Sequence, residues 1–456
     1  MFHMIKKTTL FLLLGAVILG AAVYYFDWRR SQKESEKPPA DATKLAFTIQ
    51  PEDVASLVIK HPANPAEPTL QFEKRDEIWR ITQPLEARAD QASLDGIIDG
   101  LSSARIAQTE PGAPDRLKVY GLEPPAVSLD FQLRSGAKHT VALGNKDFSG
   151  ISVYAIVDGA KDVALLPESL LISSAKSLQD LRDRGVLHIA GDKVVSFDLK
   201  NSSGQLSAKK GKDQWEFTKP AGSRGDAGNI SALLTSLGSA KWTNVASESP
   251  DNPAKYGLAN PALTFAAKDD KGKSATLIVG KKDGDRYFAR DTSAPMIFLI
   301  NEELHKKLAE NYNDLRDKKL THFDPAAINR VEIHNANGTI ICTRKSEFEW
   351  TIEEPAELKG KPADISKLFT PLEQASAGQI FDQPAPNIRA ILAKPEFEVT
   401  LTDKSGKKVT VQVSKESNGF VYARTSESPA IYKLDKQILS DLNFKPGDMA
   451  LSASSN

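Results

Sequence analysis

The sequence predicts an α+β protein: an N-terminal transmembrane helix, then three tandem modules, each a mostly antiparallel sheet with two helices. Two observations lead to this prediction. First, residues 8–26 form an apolar stretch that contains no charged residue. Second, the hexapeptide WRITQP at 79–84 recurs as WEFTKP at 215–220 and as WTIEEP at 350–355, and similar segments follow each copy in one order. The three tryptophans lie 136 and 135 residues apart, which sets the length of one module.

The bulk composition excludes several classes of protein. The chain of 456 residues has 59 basic and 59 acidic residues, so no overall field attracts nucleic acid, and we expect no nucleic-acid partner. Cys342 is the only cysteine, which excludes an intramolecular disulfide and a cysteine-rich metal site. Because Cys342 lies in an alternating apolar segment, we expect a buried, unreactive thiol.

Residues 1–30 have the pattern of a membrane anchor. The uncharged stretch at 8–26 has 19 residues, and a helix of that length spans roughly 28 Å, close to the hydrocarbon thickness of a bilayer. A cleaved signal peptide is the alternative, but its apolar core is usually shorter and is followed by a small-residue cleavage site. We therefore expect the chain to contact the membrane through residues 8–26. Aromatic residues suited to the headgroup layer end the stretch: Tyr24, Tyr25 and Trp28.

The expected location is the inner (cytoplasmic) membrane, with a single span and the bulk of the chain outside the cytoplasm. Lys6 and Lys7 precede the span, while further basic residues diluted by acidic ones follow it. Large domains are exported largely regardless of such counts. Residues 31–44 are polar and are expected to form a flexible linker to the first module.

A helical stripe begins 15 residues after each of the three tryptophans. The apolar residues are spaced i, i+3, i+4, i+7, as in a helix packed on a sheet. Asp90 and Asp226 are the expected N-caps, whereas Lys361 stands at that place in the third copy, so its cap is predicted to be missing. Pro371 interrupts the third helix. The stripes are Leu94, Ile97, Ile98 and Leu101; Ile230, Leu233, Leu234 and Leu237; and Ile365, Leu368, Phe369 and Leu372.

Turn motifs and closing helices complete each copy. Tyr120-Gly121 and Tyr256-Gly257 begin the turns YGLEPP and YGLANP, whereas the third copy has only AILAKP at 390–395. The predicted closing helices carry LQDLRDR at 178–184, YNDLRDK at 312–318 and ILSDLNF at 438–444. The predicted divisions are an anchor at 1–30, a linker at 31–44, modules at 45–185, 186–319 and 320–446 (the last degenerate), and a disordered tail at 447–456.

The repeated hexapeptide is interpreted as a β-strand. Alternation directs Trp79, Trp215 and Trp350 to one face of their sheets, where burial of a large aromatic ring is expected. An exposed platform on which a sugar stacks is the alternative. Proline lacks the N–H that a strand ladder needs, so each strand is expected to end where a proline follows. These prolines are Pro84, Pro220 and Pro355.

The combination of W-x-[IF]-x-x-P, a helix with I-x-x-L-L-x-x-L, the YGL turn and strands ending in VALG or LIVG resembles the family called domain of unknown function 4340. The resemblance covers residues 53–184 and 190–318, and 328–444 more weakly. It implies a bacterial protein with an N-terminal membrane anchor. It also implies a partner such as an ABC-type permease of the gliding-motility type or another envelope protein. The family supplies no catalytic residues to carry over.

We expect no catalytic, metal or cofactor site, because the chain carries no motif for one. The segment AKDDKGKS at 267–274 lacks the first glycine of a phosphate-binding loop and precedes a strand, so we interpret it as a hairpin turn and expect no nucleotide. The seven histidines are scattered. Arg182-Asp183 and Arg316-Asp317 recur in the closing helices, where each pair is expected to anchor the helix end to its own module.

Three functions are compatible with these features. The main hypothesis is a non-enzymatic, membrane-anchored envelope protein that acts as a scaffold or accessory subunit, for example of an ABC-type transport system. The alternative is a glycan- or peptide-binding envelope module, which exposure of Trp242 would favour, since this residue has no counterpart in the other copies. An envelope hydrolase is the third hypothesis, and it requires a polar cluster present in only one module.

Overall fold

The computed structural model describes residues 44–111, 116–212 and 214–451. Of the helices within these ranges, none has both the length and the apolar character needed to cross a bilayer. The predicted features that lie outside the described residues are the anchor at 1–30, its aromatic residues Tyr24, Tyr25 and Trp28, the linker as far as residue 43, and the end of the tail at 452–456.

The first module is one antiparallel sheet covered by helices. Its strands are β1 (Val54–Lys60), β2 (Leu70–Arg75), β3 (Ile78–Gln83), β4 (Ala87–Arg88), β5 (Gln108–Glu110), β6 (Val127–Leu133), β7 (Lys138–Lys146), β8 (Ser152–Val157) and β9 (Val163–Pro167). Its helices are α1 (Gln91–Ser103), α2 (Glu168–Ser174) and α3 (Leu178–Leu181). The strands lie in the order β4-β3-β2-β1-β6-β7-β8-β9-β5. Helix α1 therefore carries the chain from one edge of the sheet to the other.

The second module repeats this topology. Its strands are β10 (Val194–Asn201), β11 (Gly204–Lys210), β12 (Trp215–Lys219), β13 (Ala221–Gly225), β14 (Asn244–Ser247), β15 (Leu263–Asp269), β16 (Ser274–Asp283), β17 (Arg286–Asp291) and β18 (Ile297–Asn301). Its helices are α4 (Ala227–Ser239), α5 (Glu302–Leu308) and α6 (Tyr312–Leu315). The order β13-β12-β11-β10-β15-β16-β17-β18-β14 matches that of the first sheet position by position.

The third module keeps the same order with one edge strand fewer in its described residues. Its strands are β19 (Ile328–Asn335), β20 (Gly338–Arg344), β21 (Trp350–Glu354), β22 (Gln379–Phe381), β23 (Phe397–Asp403), β24 (Lys408–Val413), β25 (Phe420–Thr425) and β26 (Ser428–Asp435). Its helices are α7 (Ser366–Gln374), α8 (Pro386–Ile391), α9 (Gln437–Leu442) and α10 (Pro446–Met449). The order is β21-β20-β19-β23-β24-β25-β26-β22. Each module thus has at least one helix more than the predicted two, because short helices follow the last strand.

Each module buries a hydrophobic core of its own. The three largest core clusters contain residues only from 47–181, 186–315 and 320–449 respectively. In the first two modules the four stripe residues of α1 and of α4 are all buried, as the periodicity predicts. The described residues nevertheless form two compact units, which divide between Arg184 and Gly185, so the second and third modules belong to one unit.

The start of the third helix differs from those of the first two. The Asp90 and Asp226 carboxylates accept hydrogen bonds from the N–H groups of Ser93 and Asn229, as expected of N-caps. In the third module the N-cap is Ile365, which forms no side-chain cap hydrogen bond, and the preceding residue, Asp364, accepts a hydrogen bond from the Ser366 N–H. A 3₁₀ helix at Ala356–Leu358 displaces Asp364 along the chain relative to Trp350, and α7 is correspondingly shorter than α1.

The same hydrogen bonds identify the true end of the third module. The N–H groups of Asp90, Asp226 and Asp364 donate to the carbonyls of Leu181, Leu315 and Met449 respectively, each over 2.8 Å. Met449 is fully buried, and Leu451 N–H donates to Pro362 O. The prediction of a disordered tail from 447 is therefore wrong as far as residue 451. The counterpart of the LRD motif is Met449-Ala450-Leu451, not the segment at 438–444.

The close approach of the YGL turn to a neighbouring strand explains why that strand has a glycine at the point of contact. Gly121 and Gly257 have φ angles of +66° and +72°, which favour glycine. A Cβ on Gly144 would lie 2.2 Å from Tyr120 O, and one on Gly280 would lie 2.1 Å from Tyr256 O. In the third module Ser414 occupies this place, and its hydroxyl accepts a hydrogen bond from the Tyr422 N–H. The third module thus lacks both the YGL turn and the glycine that contacts this turn in the other two modules.

Candidate functional site

The repeated tryptophans lie in the module cores. Trp79, Trp215 and Trp350 have exposed fractions of 1, 6 and 4%. The Trp79 indole N–H donates to Asp95 in α1, and Gln91 in the same helix bonds to the Trp79 backbone N–H and carbonyl. Each ring thus ties its strand to the interior of its module, and none offers a face on which a sugar could stack.

The prolines of the hexapeptide end their strands. β3, β12 and β21 stop at the residue before Pro84, Pro220 and Pro355, and the peptide bond preceding each proline is cis. The YGL tyrosines, Tyr120 and Tyr256, are buried; Tyr120 stacks on Tyr154, and Tyr256 contacts Phe288 edge to face. Only Pro220 among these repeated positions reaches the cavity described next.

A cavity of about 760 Å³ lies where the second and third modules meet within one compact unit. We call it the groove. One wall consists of the β12–β13 turn at 220–224 and of α6 with the segment as far as His322. The opposite wall consists of Asp382-Gln383 and the β25–β26 hairpin around 425–432. Both modules therefore contribute side chains, and the lining is polar and apolar in nearly equal parts.

A buried arginine crosses the join at the groove. The Arg316 side chain is 3% exposed, and its Nη1 and Nη2 atoms donate to the two carboxylate oxygens of Asp382, each over 2.8 Å. The guanidinium also lies 4.6 Å from the centre of the Tyr312 ring, a cation–π arrangement. Arg316 Nε is buried and has no hydrogen-bond partner among the described residues. Such a bidentate pair fixes orientation as well as contact, so it holds the two modules in one arrangement.

This pair corrects the role predicted for Arg316. The sequence predicted that each Arg-Asp pair anchors the helix end to its own module. That holds for Asp183, which pairs with Arg88 at 3.3 Å, and for the Asp317 N–H, which donates to Arg224 O. The Arg316 side chain instead binds the next module along the chain. In the last module the position is Ala450, where no further described module follows.

Asp317 forms a second polar contact on the groove wall. Its carboxylate lies 2.5 Å from His322 Nε2 and accepts the Lys319 N–H over 2.9 Å. Burial disfavours the charged carboxylate, but the hydrogen bonds with His322 and the Lys319 N–H outweigh burial, so the pKa of Asp317 is lowered from its usual value. On the opposite wall, burial raises the pKa of the Tyr432 hydroxyl. The groove thus carries a charged carboxylate and a neutral phenol at neutral pH.

Charged side chains of both signs line the groove. Its three carboxylates each contact a basic side chain: Asp382 contacts Arg316, Asp317 contacts His322, and Glu427 contacts Lys407 at 3.2 Å. Two further cations on the wall, Arg224 and Lys319, are exposed and form no close ion pair in the described part of the chain, although the charge of Lys319 helps to lower the pKa of Asp317. An acidic or carboxylate-bearing group can therefore pair with these exposed cations. Sequence reasoning missed these residues because their charges converge only in the folded unit.

Other candidate positions occupy structural sites. Cys342 is fully buried, and burial raises the pKa of its thiol to about 12. The segment 267–274 contains the end of β15, the turn at 270–273 and the first residue of β16. Trp242 is 3% exposed and belongs to the core of the second module. Within the described ranges no three His, Cys, Asp or Glu side chains are arranged to hold a metal ion.

The fold defines a tandem-repeat α+β protein with a groove at the join between its second and third modules. The chain belongs to the family described as Domain of unknown function (DUF4340), whose model matches residues 79–246, 215–387 and 350–452. This confirms the resemblance and the threefold repeat predicted from the sequence. Every match begins at a hexapeptide tryptophan, and successive matches overlap, so the family unit includes the join between one copy and the next. No curated protein matches the chain.

Proposed function

We propose that the chain is a non-enzymatic, membrane-anchored envelope protein that acts as a scaffold or accessory subunit, and that a segment of its partner binds in the groove. The proposal rests on one observation: residues of both the second and the third module line the groove. Most repeated positions build the module cores, and the groove brings Arg316 and Asp317, which recur as Arg182 and Asp183, next to Asp382 of the third module. A scaffold needs a fixed surface, and the Arg316–Asp382 pair supplies one.

The chemistry of the groove favours an acidic or carboxylate-bearing peptide segment. Arg224 and Lys319 are exposed on the groove wall and form no close ion pair in the described residues, so both can pair with a carboxylate of the partner. A cavity of about 760 Å³ has room for several side chains of an extended segment. Membrane attachment is proposed from the uncharged stretch at 8–26, and an ABC-type permease is proposed as the partner from the family resemblance.

Photo-crosslinking in membranes tests the proposal. A photoreactive amino acid is placed at Gln383 in the groove of the full chain, and a matched one at Phe348, an exposed residue on the β20–β21 turn of the same module. We expect one membrane protein to crosslink from 383 but not from 348. The double variant Arg224→Glu, Lys319→Glu should abolish that crosslink while leaving the fold intact, because both side chains are exposed.

Other results would favour other functions. Equal crosslinking from 383 and 348 would contradict a role for the groove. Hydrolysis of an envelope polymer by the purified chain, lost on a single substitution in the groove, would support the hydrolase instead. A reporter that is active only outside the cytoplasm, fused after Asn456, tests orientation, and recovery of a soluble mature chain starting near residue 25 would contradict the anchor.

A further inference from the structure

One end of the first module exposes four large apolar side chains. Phe148 is fully exposed, and Val119, Ile151 and Ile172 have exposed fractions of 73, 74 and 59%. Isolated exposed apolar residues are normal on protein surfaces, but several at one place mark a contact site. We call these four residues the apolar tip.

Hydrogen bonds show that the members of the apolar tip are neighbours. Asn145 Nδ2 donates to Val119 O over 3.1 Å, and Asn145 lies two residues before the β7–β8 loop that carries Phe148 and Ile151. The Glu168 N–H at the start of α2 donates to Ile151 O over 3.0 Å. Ile172 lies one helical turn after Glu168. The four side chains therefore surround a single end of the sheet.

The described residues of the second module show no such tip. The turn that corresponds to the β7–β8 loop is Gly284-Asp285 between β16 and β17, which is shorter and contains no large apolar residue. Lys255 precedes Tyr256 where Val119 precedes Tyr120. The same fold is thus stable with a polar end, so the apolar residues of the first module are not required for packing.

The chain enters the first module at this same end. Ile106 N–H donates to Lys44 O over 2.9 Å, and the next residue, Ala107, bonds to Leu165 O. Leu165 lies on β9 beside Pro167, which pairs with Ser152 at the end of the β7–β8 loop. Lys44, the first described residue, and the apolar tip therefore lie at one end of the sheet.

Basic side chains border the apolar tip. Lys118 is exposed next to Val119, and Lys146, which pairs with Glu168, lies next to the β7–β8 loop. The Asp147 carboxylate accepts hydrogen bonds within its own loop, from Ser149 and the Gly150 N–H. Apolar side chains bordered by lysines are typical of surfaces that enter the headgroup layer of a membrane.

We propose that the apolar tip of the first module inserts into the lipid surface next to the anchor, with Phe148 and Ile151 below the headgroups and Lys118 at the anionic phosphates. The proposal rests on the membrane attachment proposed above. A flexible linker of the length of 31–44 has an end-to-end distance of about 20 Å, so it keeps Lys44 close to the bilayer. Since Lys44 and the tip share one end of the sheet, the tip is within reach of the lipid.

A fluorescent probe on the tip tests the proposal in the full chain. Phe148→Cys adds the only accessible thiol, because Cys342 is buried and its thiol pKa is raised to about 12. The matched control is Ala160→Cys, on the exposed β8–β9 turn at the opposite end of the same sheet. Each labelled chain is reconstituted into nanodiscs that contain anionic lipid with nitroxide on the acyl chains.

We expect a blue-shifted emission and a loss of intensity by quenching at 148, and neither change at 160. Ile151→Asp in the Phe148→Cys chain should return the emission at 148 to that of the control. Equal quenching at both positions, or excimer formation between pyrene-labelled copies at 148, would overturn the proposal, the latter in favour of self-association. Quenching at 148 in a chain that alkaline washing removes from the nanodiscs would support insertion of the apolar tip and contradict the membrane anchor. Failure of the tip proposal and failure of the anchor proposal are therefore distinguishable.

Discussion

Arg316 and Asp382, 66 residues apart in sequence, form a bidentate ion pair that joins the second and third modules. The arginine is buried, while the aspartate is 51% exposed. Without the Asp382 carboxylate, the Arg316 guanidinium would remain buried as an unpaired charge, which is costly. Removing the aspartate therefore destabilises the protein by more than the net attraction within the pair.

Asp382→Ala is expected to lower the free energy of unfolding of the second compact unit by about 1.5–3 kcal/mol, the range for hydrogen bonds to charged groups. The half-exposed aspartate keeps the effect below that of a fully buried pair. Urea denaturation followed by tryptophan fluorescence measures this loss of stability. Without the ion pair, the second and third modules are expected to unfold in separate transitions. Asp285→Ala is the control, because its side chain is 87% exposed, and it should change stability by less than about 0.5 kcal/mol. An unchanged midpoint for Asp382→Ala would show that the pair does not couple the modules.

Replacing a hexapeptide tryptophan by alanine is expected to destabilise its own module by about 3–5 kcal/mol, the range for a buried large aromatic residue. Trp79→Ala, Trp215→Ala and Trp350→Ala should each act mainly on one of the three separate cores. Hydrogen exchange monitored by mass spectrometry locates the effect. Full thermal stability together with lost binding to a cell-wall polymer would instead favour a glycan platform.

Gly144→Ala is expected to destabilise the first module by about 1–3 kcal/mol, the range for overpacking, because its Cβ would lie 2.2 Å from Tyr120 O. Gly96→Ala in α1 is the control, since nothing lies within 4 Å of the added Cβ, and alanine should stabilise the helix by up to about 1 kcal/mol. Thermal unfolding of the two variants should therefore shift in opposite directions. If Gly144→Ala leaves thermal stability unchanged, the YGL turn moves away from the added Cβ at little energetic cost.

Acid is expected to weaken the second unit through Asp317. Its folded pKa is lowered below the usual 3.8, so the carboxylate contributes stability that is fully present above 3.8 and is lost as the pH falls through the folded value. Urea denaturation between neutral pH and pH 2 measures this loss. Asp317→Asn should reduce the pH dependence below 3.8, whereas Asp285→Asn should not. An equal pH dependence in the wild type and Asp317→Asn would contradict this assignment.

Much of each module could be predicted from local patterns. Alternation in WRITQP predicts a strand with a buried Trp79, and the i, i+3, i+4, i+7 stripe from Leu94 predicts α1. These features depend on residues close in sequence, so their periodicity is visible without the fold. The third module departs from the prediction because positions were counted from Trp350. An inserted 3₁₀ helix moves the aspartate that contacts the closing segment from position 361 to Asp364, and a shortened α7 compensates, so the overall period is unchanged.

The sequence by itself determined the threefold repeat, the α+β class and the strands that end before Pro84, Pro220 and Pro355, because each depends on short-range spacing. Only the tertiary structure decided that Arg316 binds Asp382 of the next module, that Met449 is buried, and that Arg224 and Lys319 share a groove wall. These contacts join residues far apart in the chain. Which distant side chains meet depends on how the packed modules are joined, and no local pattern records it.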